Sequence, residues 1–203
     1  MSKTWPLHIS LAGGEVFHDQ LNENVRGIIA ALARRRNSVV LHYDGENSQL
    51  VRAVEMVETS VRDGLHQLIP ERLPEGLHRG VGPEDVGGQF GRLASAHGMI
   101  LLAGISRMEL GLFFLALASH CAEAIPPENR LPDRIAYLVP EGCDPDSLSL
   151  WHRFLQAFLD IGNKPYCDCS FLLKVTNAED AVNWALEGRR PAVPTKEVSA
   201  ACH

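Results

Sequence analysis

Ser38-Val39-Val40-Leu41-His42-Tyr43-Asp44-Gly45-Glu46-Asn47-Ser48-Gln49-Leu50-Val51-Arg52-Ala53-Val54 is the stretch that decides the fold. Ser38 to Tyr43 is a short run rich in β-branched and apolar side chains, suited to a strand buried on both faces of a parallel sheet. Asp44 to Asn47 reads as a turn. Ser48 can cap a helix whose apolar stripe is Leu50, Val51, Val54 and Val57, and Gly64 closes it.

The same strand-to-helix alternation extends in both directions. Upstream, Leu7, Ile9 and Leu11 alternate with polar or small residues and end at Gly13-Gly14. A helix follows, with Leu21, Val25, Ile28, Ile29 and Leu32 on one face and Arg34-Arg35-Arg36 at its C-terminus, where cations suit the dipole. The triplet is read as this helix end, with a nucleic-acid patch as the alternative. Downstream, strands are expected at 65–70, 99–102, 134–139 and 170–175, and helices at 108–121, 145–159 and 178–186. The last helix opens at Asn177. Residues 71–91, with Pro74, Pro83 and scattered glycines, form a long aperiodic loop. The expected fold is therefore a three-layer, Rossmann-like α/β domain over residues 1–188, with a mostly parallel sheet of six or seven strands. Residues 189–203 are a tail. Ligands of such sheets bind at the carboxyl ends of the strands, here Gly13-Gly14, 44–48, the loop after Glu71, and 103–107.

Composition narrows the function classes. Lys plus Arg total 19 against 25 Asp plus Glu, a net charge of −6. That balance disfavours general nucleic-acid binding, which needs a cationic surplus to displace counterions. The apolar run 99–105 is interrupted by Ser106-Arg107, far short of the roughly 18 residues of a membrane helix. Residues 1–6 have no signal-peptide core. Five cysteines in no disulfide spacing suit the cytoplasm. His66, His78, His97 and His120 lack metal-ligand spacing, and Cys167-x-Cys169 lacks a second pair. Neither a metal nor a cofactor is expected. His18-Asp19 could be a base with its orienter, but Asp19 is read as a helix cap. No Gly-x-Ser-x-Gly elbow is present.

Residues 43–53 resemble the YGGGxxGLMGxVA segment of the Lonely Guy (LOG) family of nucleotide phosphoribohydrolases. In the same frame, Ile69-Pro70-Glu71-Arg72-Leu73 is similar to the family's IIPExL. Residues 93–102 are similar to the strand before its PGGxGTxxE loop. Residues 144–162 resemble its DPLLxFLDxAxxxGF helix, and 175–182 its final helix start. The likeness spans nearly the whole chain, with departures in the loops. Asp44, Glu46, Gln49 and Arg52 stand where the family has glycines. Ala103-Gly104-Ile105-Ser106-Arg107-Met108-Glu109 is about two residues short of the second glycine loop.

The resemblance implies cleavage of the N-glycosidic bond of a nucleoside 5′-monophosphate or related nucleotide, within a homodimer. Glu109 corresponds to the catalytic carboxylate, stabilising positive charge on the ribose and orienting water. Arg92 is the nearest stand-in for the catalytic arginine. Gly13, Gly14, Gly45, Gly104 and Ser106 would line the ligand with their backbone, and Arg107 would pair with phosphate. Asp44 and Glu46 would repel phosphate but could hold ribose hydroxyls. The alternative is a catalytically degenerate sensor or interaction protein using the same pocket. The helix around 110–117, apolar nearly all round, is the residue-level hint of a dimer, and a buried central helix explains it equally.

Overall fold

The protein is described from a computed structural model, which defines residues 6–13, 18–35, 37–45, 47–71, 96–103, 134–139 and 171–191. Strands β1 (Leu7–Gly13), β2 (Val39–Asp44), β3 (Gln67–Glu71), β4 (Gly98–Leu102), β5 (Ile135–Leu138) and β6 (Leu172–Val175) form one sheet in the order β3-β2-β1-β4-β5-β6. Every neighbouring pair is parallel. The expected α/β arrangement is therefore present. The strand order is the one in which two halves wind outward from a central pair, β1 and β4.

One face of the sheet carries Ile9, Leu11, Val39, Leu41, Tyr43, Ile100, Leu102, Ala136, Leu138 and Val175. Against it pack α1 (His18–Ala33), α2 (Ser48–Glu55) and α4 (Ala178–Glu187), in a single apolar cluster. The α1 stripe of Leu21, Val25, Ile28, Ile29 and Leu32 is buried, while Glu23 and Arg26 between them are exposed. On the opposite face Ser10, Val40, His42, Met99, Leu101, Ile135 and Tyr137 are also withdrawn from water. Burial on both faces is what an all-parallel sheet requires, and it explains why these strands read as nearly continuous apolar runs.

Two expected boundaries move. The helix anticipated from Ser48 to Gly64 is two helices: α2 stops at Glu55, and a single turn, α3 (Thr59–Arg62), follows. Glu58 is extended (φ −52°, ψ 135°), which interrupts the hydrogen-bond ladder. The apolar spacing of Val54, Val57 and Val61 runs straight through this break, so periodicity could not reveal it. Strand β3 begins at Gln67 rather than Leu65, because Leu65 N–H closes a turn on the Arg62 carbonyl. Pro70 sits in this outermost strand, the place a sheet tolerates a residue without an N–H.

Helix α4 is fixed at both ends of its packing face. Asn177 caps it by accepting from Asp180 N–H at 2.9 Å. Trp184 Nε1–H is shared between the carbonyls of Ile135 (3.1 Å) and Phe171 (3.3 Å), tying the helix to the β5–β6 edge. Among the described residues no helix is long and apolar enough to cross a membrane.

Candidate functional site

The order of strands reverses between β1 and β4, and in open parallel sheets a ligand crevice is expected outside the carboxyl ends of the strands at such a reversal. Gly13 ends β1 and stands in register with Leu102, the last residue of β4. Its φ is 90°, a backbone conformation that only glycine adopts without strain. Ala103, the next residue after β4, is still buried. Strand β2, the neighbour of β1 on the other side, ends at Asp44, the residue after the partner of Leu11 and in register with Glu71 of β3. Strands lie about 4.8 Å apart, so Asp44 flanks the crevice while the end of β3 is roughly 10 Å away. The loop after Glu71 lies outside the described residues.

Asn47 is the side chain that organises this edge. The sequence reading placed the cap on Ser48. Instead Asn47 is the N-cap, and Ser48 is the exposed first residue of α2. Asn47 is 8% exposed. Its Oδ1 accepts from Gln49 N–H and Leu50 N–H, each at 3.1 Å. Its Nδ2–H donates to the Gly13 carbonyl at 3.2 Å. Two first-turn amides of α2, those of Gln49 and Leu50, are thereby occupied by the protein itself. An anion at that helix N-terminus would have to displace the Asn47 carboxamide. Sequence reasoning missed this residue because Asn and Ser are equally good caps and stand side by side.

Of the residues singled out from sequence, Gly13, Asp44 and Gly45 are at this edge. Gly13 ends β1, Asp44 is partly buried at the end of β2, and Gly45 forms the bend that follows. Gly14, Glu46, Arg92, Gly104, Ser106, Arg107 and Glu109 lie outside the described residues. So do the expected helices at 108–121 and 145–159, and the loop from Arg72.

One other sequence reading is corrected: helix α1 already begins at His18, so Asp19 lies inside it and cannot be its cap. Three histidines, His8, His42 and His97, come together in a row that the sequence did not suggest. His8 Nδ1 and His42 Nε2 share a hydrogen bond of 2.7 Å, and their rings stack with centroids 5.0 Å apart. His8 backbone N–H donates to His97 Nδ1 at 2.9 Å, and those rings lie 6.0 Å apart. Burial, then the neighbouring imidazoles of His42 and His97, hold the His8 pKa below its usual value. The row was invisible in sequence because its members lie on three different elements. His8 is near the start of β1 and His97 immediately precedes β4, at the end of the sheet opposite the crevice. No group able to hold a metal ion occurs among the described residues.

Arg34 and Arg35, which follow α1, bind protein, and Arg36 lies outside the described residues. Arg34 pairs with Glu179 at 2.8 Å, and Arg35 bridges Glu179 (2.6 Å) and Glu187 (3.2 Å) while donating to Asn183 Oδ1 at 2.8 Å. This is the helix-end reading, with the acids of α4 as partners.

No protein-family model matches the sequence, and no curated protein matches it. Among solved structures, the fold is similar to the molybdenum cofactor carrier protein of Chlamydomonas reinhardtii, with 10% sequence identity and a TM-score of 0.44. The overlap covers 88% of this chain and 94% of that one.

Proposed function

We propose that the chain binds a nucleoside 5′-monophosphate, or a close chemical relative, in the crevice between β1 and β4, and that it hydrolyses the N-glycosidic bond of this ligand. The observation that carries the binding site is the reversal of strand order beside the left-handed Gly13. Occupation of the α2 amides by Asn47 argues that phosphate goes elsewhere: toward Gly13-Gly14 and the segment Gly104-Ile105-Ser106-Arg107, which follows β4 in sequence. Asp44, flanking the crevice from β2, is suited to ribose hydroxyls, since a carboxylate accepts hydrogen bonds from them and repels phosphate. Glu109 is proposed to stabilise the cationic ribose as the base departs, with Arg92 assisting and Arg107 holding phosphate.

A second reading is a nucleotide sensor without catalysis. The favouring observation is the first glycine segment itself, where Asp44 and the buried Asn47 occupy a turn that an open phosphate cradle would need. Incubation with a nucleotide panel, following free base and ribose 5-phosphate, separates the two. Release of both products supports the hydrolase. Tight binding without release supports the sensor, and no binding removes both. The protein is further proposed to be a cytosolic homodimer. Light scattering should give twice the 22.3 kDa mass of the chain, and a monomer at working concentration ends that claim.

A further inference from the structure

We infer that Asn47 is a positioning residue of the crevice, holding the last peptide of β1 in the orientation the ligand meets; this rests on the nucleotide-binding reading above. Capping α2 requires only a side-chain oxygen, which Ser, Thr or Asp supplies as well as Asn. The carboxamide brings something more, a donor nitrogen separate from the capping oxygen, and that donor is spent on the Gly13 carbonyl, 34 residues earlier in the chain. Of the three buried polar side chains among the described residues, Ser10, His42 and Asn47, only Asn47 stands at the carboxyl edge of the sheet.

The consequence follows from peptide geometry. A peptide group is planar, so fixing the Gly13 carbonyl on Asn47 fixes the plane of the peptide with which β1 ends. Gly13 at φ 90° is the residue in this strand with the widest choice of backbone conformation, so it is the one that most needs an external restraint. Asn is therefore better here than Asp. An aspartate would suit the dipole of α2 equally or better, but it would set a carboxylate oxygen against the Gly13 carbonyl oxygen.

Asn47→Asp keeps the cap and removes the donor, while Asn47→Ser keeps the cap and replaces the carboxamide donor by a single shorter hydroxyl that must serve both partners. The expected result is loss of affinity for adenosine 5′-monophosphate and the other common nucleoside 5′-monophosphates of at least about tenfold, measured by calorimetry. Amide exchange should accelerate at Ala12 and Gly13 but not at 50–54 in α2. Wild-type affinity in both variants overturns the inference. So does a loss of protection centred on α2 in both, which would mean that Asn47 is only a cap. If the unmutated chain binds no nucleotide, the nucleotide reading fails on its own. The exchange data then decide: unchanged protection at Gly13 overturns the Asn47 assignment, and selective loss there upholds it as the anchor of the β1 terminus.

Discussion

Gly98 opens β4 directly beneath α4, and a Cβ there would run into the Ala185 carbonyl group, 2.7 Å from its carbon. The obstacle is helix backbone, which cannot swing aside as a side chain would. Gly98→Ala should therefore cost about 1–3 kcal/mol, the usual range for overpacking, seen as a lower urea midpoint with unchanged slope. An unaltered midpoint would mean that α4 does not approach β4 this closely. His8 yields a prediction of a different kind. Its pKa is lowered in the folded chain, first by burial and then by His42 and His97. Below its ordinary value near 6.5 the unfolded chain takes up a proton that the folded chain still refuses. Stability is thus expected to fall as pH drops from 6.5 toward the folded pKa, and to level off below it. Among the described residues the titratable groups facing His8 are these two histidines. Denaturation curves across this window should show a shallower pH slope for His8→Gln, and an equal slope would sink the assignment.

Elements were legible in the sequence to the extent that their burial is two-sided and their caps unambiguous. All six strands were anticipated, with β3 and β6 starting at Gln67 and Leu172, later than expected, because runs such as Val39–Leu41, Met99–Leu102 and Ile135–Leu138 are buried at every position and so read as continuous apolar or aromatic stretches. Asn177 was readable as a cap because no rival follows it, whereas Asn47 was hidden beside Ser48. The break at Glu58 was not readable, since it changes the backbone without changing which face is apolar. The partners of the arginine triplet were not readable either, because the acids they meet lie more than a hundred positions away on α4. Those contacts set the energetic scale for joining α1 to α4. Arg34 and Glu179 are both substantially exposed, so their pair is worth at most about 0.5 kcal/mol. Arg35 is only 19% exposed and engages two carboxylates and an amide. Arg35→Ala should cost about 1–2 kcal/mol and Arg34→Ala little. A double-mutant cycle with Glu179→Ala tests this, the coupling expected to be larger for Arg35.

At the scale of the whole molecule, the alternation of strands and helices could not choose between strand orders. An order reversing at β1 and β4 and one reversing at β1 and β3 share the same pattern along the chain. The parallel register of Gly13 with Leu102 makes that choice. It also gives the residues after β4 a privileged position, because the chain leaves the sheet at the crevice and continues within seven positions of Leu102 to Arg107 and Glu109. Glu109→Gln removes charge while keeping shape. If Glu109 stabilises the cationic ribose, turnover of the active nucleotide should fall by roughly two to four powers of ten with little change in binding. Arg107→Ala should instead weaken binding of the nucleotide more than that of the corresponding nucleoside, since only the former offers phosphate oxygens to a guanidinium. Turnover and affinity measured on the nucleotide–nucleoside pair keep the two roles apart. Full activity in Glu109→Gln would return Glu109 to an ordinary acid. Equal weakening of nucleoside and nucleotide by Arg107→Ala would remove Arg107 as the phosphate contact.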